Sequence, residues 1–155
     1  MATLLAASLP GVGAAQPKLL EPERAFAFSV QALDDKTVEA RFAIADGYYL
    51  YREKLRLTVE PTALVEVPML PAGKIKDDEF FGRVETYRGR VAVKLSLDKP
   101  EPGQKVTVRA ESQGCADAGV CYPPQVQNLT VALPAAGTRP GPPVEATPAR
   151  KSWFN

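Results

Sequence analysis

Two cysteines, Cys115 and Cys121, are the side chains of this sequence best suited to covalent chemistry. Both lie in residues 114–124, which read GCADAGVCYPP. Two thiols so close in sequence can form a disulfide bond that either holds a fold together or is made and broken by thiol–disulfide exchange. A bridge that closes such a short loop stabilises a fold by roughly 2.4 kcal/mol, against about 4 kcal/mol for a long loop. The spacing therefore favours exchange, and a structural disulfide is the alternative.

The composition removes several other kinds of site. The chain contains no histidine, which excludes Ser-His-Asp catalysis, Cys-His catalysis and any histidine-bound metal. Two cysteines alone cannot complete a tetrahedral zinc site, so we expect neither a metal nor another cofactor. The net charge of +1 comes without a long basic run, and we expect no nucleic-acid partner.

Apolar and polar residues alternate along most of the middle of the chain, which is typical of strands with one buried face. The alternating runs span residues 26–30, 38–44, 55–59, 91–97, 106–110 and 126–133. Turn-forming pairs such as Asp46-Gly47 and Arg88-Gly89 separate them. About seven or eight short strands at this spacing predict an all-β sandwich. The last two runs flank the cysteines and place them on a hairpin loop.

The ends of the chain differ in composition from the middle. Residues 1–20 contain an apolar run followed by small residues, which predicts either the remnant of a secretory signal peptide or a disordered tail. Residues 21–133 form the predicted sandwich domain. Residues 134–155 are rich in proline and predict a semi-extended linker that ends with Trp153 and Phe154. That aromatic end is typical either of an approach to a membrane interface or of an unstructured tail.

Residues 76–82 place a run of carboxylates directly before Phe80 and Phe81. One interpretation is a solvated turn with one phenylalanine in the core. The other is a flap whose ring covers a sulfur, with nearby carboxylates that disfavour the thiolate. The residue types alone leave both interpretations open.

Tyrosines occupy positions 48, 49 and 51. On a strand they must point to both faces of the sheet, so at least one of them is expected in the core. The others could offer flat amphipathic area to a partner, as tyrosines do at interfaces.

Three stretches, taken together, resemble the family of N-terminal periplasmic domains of the thiol:disulfide interchange protein DsbD. They are residues 46–52 (DGYYLYR), 78–82 (DEFFG) and 114–124 (GCADAGVCYPP). The likeness runs from about residue 21 to residue 133, and Cys-x5-Cys-Tyr-Pro-Pro is its most specific motif. It implies an immunoglobulin-like β-sandwich with a redox-active cysteine pair on a hairpin loop.

The resemblance also implies a function and a location. The domain would be periplasmic, and the linker would lead to the membrane domain of an inner-membrane protein. It would accept electrons from a thioredoxin-like C-terminal domain of the same protein. It would then reduce periplasmic disulfide isomerases and the thioredoxin-like protein of cytochrome c maturation, as a protein-disulfide reductase without a bound cofactor.

Roles for single residues follow from the same resemblance. Cys121 would form the mixed disulfide with a partner, and Cys115 would resolve it. The cap loop over the pair would contain three residues: Asp78, Glu79 and Phe80. Phe80 would shield the cysteines. The side chains of Tyr49 and Tyr51 would line the active-site surface.

Two other functions are compatible with these residues. One is a binding or adhesion module held by a structural disulfide, which reduction would destabilise. The other is a chaperone-like sandwich that binds unfolded chains through Tyr49, Tyr51 and Phe80, and that works without cysteines.

Overall fold

Strands dominate the described part of the chain, residues 13 and 18–146 of the computed structural model. A single-turn α-helix (α1, Pro22–Ala25) and a 3-10 turn (Arg52–Lys54) accompany them. The strands are β1 (Phe26–Ala32), β2 (Thr37–Ile44), β3 (Tyr48–Tyr51), β4 (Arg56–Glu60), β5 (Lys74–Asp78), β6 (Gly82–Tyr87), β7 (Arg90–Ser96), β8 (Lys105–Ser112), β9 (Gly114–Ala116), β10 (Val120–Cys121), β11 (Gln125–Ala132) and β12 (Val144–Glu145). In these residues no helix has the length and hydropathy needed to cross a membrane.

Two of the sheets form a sandwich. One has the strand order β12-β1-β2-β7 and the other has the order β11-β8-β4. Alternate side chains of both sheets share one buried cluster, to which β1 contributes Phe26, Phe28 and Val30, and β8 contributes Val106 and Val108. One face of each strand is buried while the other meets water, which explains the alternation in the sequence. The predicted all-β, immunoglobulin-like sandwich is confirmed.

A third sheet carries the cysteines and the residues around them. Its strand order is β10-β9-β3-β6-β5, and β9 follows β8 after a single residue, Gln113. The backbone oxygen of Gln113 accepts a hydrogen bond of 3.0 Å from the Tyr51 N–H where the chain passes between sheets. Before this point β8 pairs with β11 along its whole length. This pairing confirms the hairpin that was predicted to hold the cysteine stretch.

Strands β5 and β6 form a hairpin that apolar alternation did not indicate. Most side chains of β5 are at least partly exposed, so this strand lacks a continuous buried face. The tip of the hairpin, residues 79–81, belongs to the predicted flap. Strand β6 pairs with β3 at Leu50 and Tyr51. The sheet pairing therefore brings the flap and the tyrosine strand into one unit.

Parts of both predicted tails pack on the domain. Leu19 and Leu20, within the predicted tail 1–20, lie against the main cluster. At the other end β12 pairs with β1, and the Ala146 N–H donates to the Phe28 oxygen at 3.0 Å. The proline-rich segment thus returns to the sandwich, in a strand of two residues, before the described part ends. Apart from residue 13, the predicted signal-peptide remnant up to residue 17 and the aromatic end of the predicted linker lie outside the described residues.

Candidate active site

The two cysteines form a disulfide across a short hairpin. Cys115 on β9 lies directly opposite Cys121 on β10, and their Cα atoms are 3.9 Å apart. The turn between the strands includes Gly119, whose φ of 90° suits glycine, and its N–H donates to the Ala116 oxygen at 3.0 Å. The prediction of a cysteine pair on a hairpin loop is confirmed.

The two cysteines differ in their exposure. Cys115 is fully buried, with an exposed fraction of 0%, whereas Cys121 is partly exposed. Cys115 packs with Tyr49, Tyr51 and Val84 in a second buried cluster beside the sandwich core. Thiol–disulfide exchange requires that the attacking group reach a sulfur atom. Of the two cysteines, Cys121 is therefore the one that solvent can reach in this structure.

Close backbone packing fixes the entrance to this hairpin at Gly114. A Cβ atom at this position would lie 2.4 Å from the Tyr49 oxygen and 2.5 Å from the Phe26 ring. The main chain therefore approaches β3 more closely than any other residue would permit. This contact places Cys115 against the face of β3 that carries Tyr49 and Tyr51.

The tyrosine strand divides its side chains between two clusters, as expected for tyrosines on both faces of a strand. Tyr48 and Leu50 belong to the sandwich core, whereas Tyr49 and Tyr51 belong to the cluster around Cys115. The Tyr51 hydroxyl lies 3.1 Å from the Cys115 Sγ and 3.8 Å from Sγ of the second cysteine. Sulfurs in a disulfide carry no hydrogen, so the hydroxyl is the donor in these contacts.

The expectation that Tyr49 and Tyr51 line the active-site surface stays a prediction, and the structure places both side chains beside the sulfurs in a buried position. Their exposed fractions are 3% and 2%, so neither offers flat area to a partner in this structure. The physical reason is that β6 and the flap cover this face of β3: Val84 packs in the same cluster, and the Phe81 ring meets Tyr51 edge-on. Both tyrosines therefore lie beneath the flap and beside the sulfurs.

A buried carboxylate joins the tyrosines to the flap. Asp78 Oδ2 accepts a hydrogen bond of 2.6 Å from the Tyr49 hydroxyl. Asp78 Oδ1 accepts from the backbone N–H groups of Phe80 and Phe81, at 2.9 and 3.0 Å. The bond from Tyr49 connects Asp78 to β3, and the two backbone bonds connect it to the flap. Asp78 was predicted to belong to the cap loop. In the structure it is a buried residue whose carboxylate binds both the flap and Tyr49.

The same contacts shift the acidities of these groups. Burial acts to raise the pKa of Asp78, but the hydrogen bonds from Tyr49, Phe80 and Phe81 together outweigh burial and hold that pKa below its ordinary value. Burial, and then the hydrogen bond to Asp78, raise the pKa of Tyr49 to about 12. Burial also raises the pKa of Tyr51. Both tyrosines are therefore neutral donors at physiological pH.

The flap itself exposes both of its phenylalanines, with exposed fractions of 55% for Phe80 and 45% for Phe81. This excludes the interpretation that one of them is a core residue. The ring packed against Tyr51 is that of Phe81, with centroids 5.0 Å apart, and Lys54 Nζ lies 5.0 Å from the same ring. Glu79 is exposed. The shielding role of Phe80 stays a prediction, and Phe81 joins the candidate residues.

An ion pair that was not predicted holds the turn between the cysteines. Asp117 binds both terminal nitrogens of Arg88, at 2.6 and 3.0 Å. The hydrogen bonds from Arg88 hold the pKa of Asp117 below its ordinary value, and the same bonds raise the pKa of Arg88. Asp117 lies between the two cysteines in the sequence, and its charge marks it as a residue that could form an ion pair there. Nothing in the sequence marks Arg88, which lies 29 positions away, as its partner.

A comparison with protein families matches residues 16–133 to the family described as thiol:disulfide interchange protein DsbD, N-terminal. DsbD of Ralstonia nicotianae is 44% identical over 130 residues, and DsbD 2 of Pseudomonas aeruginosa is 45% identical over 128 residues. The alignments cover 82% and 83% of this chain but 21% and 20% of those relatives. The chain thus spans about a fifth of the length of the curated relatives it matches.

Solved structures from Neisseria meningitidis agree with this match. The crystal structure of a DsbD N-terminal domain in the reduced form is 35% identical, with a TM-score of 0.68. The match covers 83% of this chain and 96% of that one. A complex between the DsbD N-terminal and PilB N-terminal domains matches with 36% identity and a TM-score of 0.64, over 79% of this chain and 94% of the other.

Proposed function

The chain belongs to the family of DsbD N-terminal domains, and from this premise we propose that it relays two electrons between proteins by thiol–disulfide exchange. The observation that carries the proposal is the Cys115–Cys121 disulfide, in which one cysteine is fully buried and the other is partly exposed. A bridge across neighbouring strands ties no distant parts of the chain together. Such a bridge is better placed to exchange than to stabilise the fold.

The exchange proceeds in two displacement steps. In the reduced domain the Cys121 thiolate attacks one sulfur of the partner's disulfide. A mixed disulfide forms, and the other partner sulfur leaves as a thiolate that takes up a proton. The Cys115 thiol then loses its proton and attacks the Cys121 sulfur, which breaks the mixed disulfide and releases the second partner thiol. Two electrons have then passed to the partner, and the domain holds the Cys115–Cys121 disulfide.

The assignment of the two roles rests on exposure. A partner protein must bring its disulfide into line with the attacking sulfur. Cys121 is the cysteine that is partly exposed to solvent. Cys115 needs to reach only its neighbour across the hairpin, so complete burial is compatible with the resolving role. Asp78, Glu79 and Phe80 form the cap loop in this proposal, and Phe80 shields the pair until a partner arrives.

The proposed partners follow from the family. The domain is reloaded by the thioredoxin-like C-terminal domain of its own full-length protein. It delivers electrons to periplasmic disulfide isomerases and to the thioredoxin-like protein of cytochrome c maturation. The solved complex of a related DsbD N-terminal domain with a PilB N-terminal domain supports direct docking of a protein partner. We place the domain in the periplasm as part of an inner-membrane protein, in keeping with a relative of which the alignment covers only 21%.

Electron transfer to an oxidised thioredoxin-like protein tests the proposal. The domain is reduced, freed of reductant and mixed with the oxidised partner, and thiols are then alkylated and weighed by mass spectrometry. We expect the partner to gain two alkylated thiols while Cys115 and Cys121 lose theirs. A bridge that resists reductant until the domain unfolds would show a structural disulfide instead.

The chaperone-like alternative loses part of its basis. Tyr49 and Tyr51, two of the three side chains on which it depends, are buried. A variant with Cys115→Ala and Cys121→Ala separates the two functions, because a chaperone would still suppress the aggregation of an unfolded client whereas electron transfer would stop.

A further inference from the structure

The turn between the two cysteines is held to the rest of the domain by contacts that involve neither sulfur. Asp117 lies in this turn, and its carboxylate receives two hydrogen bonds from Arg88, at the turn between β6 and β7. The Asp117 N–H donates to the Gly47 oxygen at 2.8 Å. The tip of the cysteine hairpin is therefore fixed through both its side chain and its main chain.

Arg88 connects this tip to the tyrosine strand. Its Nη1 donates to the backbone oxygen of Tyr48 at 3.3 Å, and its guanidinium carbon lies 5.2 Å from the centre of the Tyr49 ring. The Tyr49 hydroxyl in turn donates to Asp78, the anchor of the flap. One cation thus contacts the cysteine turn and the strand to which the flap is attached.

We propose that Arg88 is a positioning residue for exchange, which acts through Asp117 to keep the cysteine hairpin in its closed shape when the disulfide is reduced. This inference rests on the proposed function. The disulfide and the ion pair restrict the same short loop. Once one of them has formed, the loop has less conformational entropy to lose when the other forms. Linkage then requires that each stabilise the other to the same extent. The ion pair therefore favours the disulfide over the dithiol.

The competing explanation is an ordinary surface ion pair. The side chains of Arg88 and Asp117 have exposed fractions of 43% and 48%, and exposed pairs often contribute little to stability. The chain offers a matched control in Arg109 and Glu111 on β8, with exposed fractions of 44% and 37%. That pair lies on a single strand of the sandwich and spans no loop. Only the first pair is expected to affect the redox equilibrium.

Equilibrium with glutathione measures the effect. The domain disulfide and two molecules of reduced glutathione give the domain dithiol and one molecule of oxidised glutathione, and alkylation counts the thiols. We expect Arg88→Gln and Asp117→Asn each to move the equilibrium constant two- to fivefold toward the dithiol, as expected for loss of an exposed ion pair. The double variant should show little further change, because the two residues act as one unit. Arg88→Lys should restore part of the effect, since it keeps the charge without the bidentate geometry.

The outcomes separate this inference from the proposed function. An equilibrium constant equal to the wild-type value in Arg88→Gln and in Asp117→Asn would overturn the positioning role, while exchange by the wild-type domain would stand. An equal shift in Arg109→Gln would also overturn it, because any lost surface charge would then suffice. Asp117→Asn keeps Arg88 against Tyr48 and decides the matter if Arg88→Gln does not fold. A folded wild-type domain that never equilibrates with glutathione would contradict the proposed function itself.

Discussion

The Tyr51 hydroxyl is a buried donor placed 3.1 Å from the Cys115 sulfur and 3.8 Å from the Cys121 sulfur. Because Cys115 has an exposed fraction of 0%, its thiolate cannot rely on bulk water for stabilisation. A hydrogen bond from a neutral hydroxyl is the stabilising contact that this geometry supplies. The relationship makes Tyr51 a candidate for assisting the second displacement step.

We expect Tyr51→Phe to slow resolution of the mixed disulfide several-fold, since hydrogen bonds to charged groups are among the stronger ones. The measurement is the rate at which Cys115 displaces a small thiol attached to Cys121. Tyr87→Phe is the control, because the Tyr87 hydroxyl donates to the Pro71 oxygen instead of contacting a sulfur. Equal rates for Tyr51→Phe and the wild type would remove Tyr51 from the mechanism.

The unequal exposure of the cysteines predicts unequal trapping. With Cys115→Ala, the mixed disulfide between Cys121 and a thioredoxin-like partner cannot be resolved and should accumulate. With Cys121→Ala, little complex should form, because the remaining thiol is fully buried. Non-reducing electrophoresis after incubation with the oxidised partner compares the two variants. Similar amounts of complex from both would contradict the assignment of roles.

Replacement of each flap phenylalanine tests which ring shields the sulfurs. Phe80→Ala should speed the reaction of the reduced domain with a small disulfide reagent several-fold. Its melting temperature should barely change, because a side chain with 55% exposure lacks the ~3–5 kcal/mol that a core phenylalanine contributes. Phe81→Ala is the matched comparison, and it also loses the contact with Tyr51. An acceleration in Phe81→Ala alone would move the shield from Phe80 to Phe81.

The lowered pKa of Asp78 predicts that the folded domain loses stability in acid. Because its pKa in the folded domain lies below its ordinary value, the ionised carboxylate stabilises the fold fully above about pH 4. That contribution is lost as the pH falls through the lower folded-state value. Melting temperatures between about pH 2 and pH 7 should show the wild type above Asp78→Asn at neutral pH, with a gap that closes in acid. Asp77→Asn, at an exposed neighbouring position, should leave the melting temperature near that of the wild type.

A pH-independent gap between the wild type and Asp78→Asn would show that the charge of Asp78 does not anchor the flap. In that case the three hydrogen bonds to its oxygens would contribute the same stability whether Asp78 is ionised or protonated.

Much of the sandwich could be predicted because burial of one strand face leaves a trace in the sequence. The alternation of Phe26, Phe28 and Val30 located β1, and that of Val106 and Val108 located β8. The cysteine hairpin was also predictable, since its motif is contained in residues 114–124. In each case the residues that define the feature are near neighbours in the chain.

The parts that escaped prediction join residues far apart in sequence. Burial of Tyr49 and Tyr51 depends on Val84 and Cys115, which lie on strands with little or no alternation of their own. Alternation showed that these tyrosines share a face of β3 but not that another hairpin covers it. The partner of Asp117 was equally hidden, because an exposed ion pair carries no periodic signal.

Strand β3 contributes to two buried clusters of very different size, and we expect these clusters to behave as two cooperative units. We expect the large cluster to govern global unfolding and the small one, around Tyr51 and Cys115, to open at a lower free energy, because it contains far fewer buried side chains. If they do, heat resistance and the rate of the proposed thiol–disulfide exchange are separable traits. We then expect substitutions in the sandwich core to raise the melting temperature without changing the rate of exchange, so evolution or engineering can adjust one trait while the other is kept.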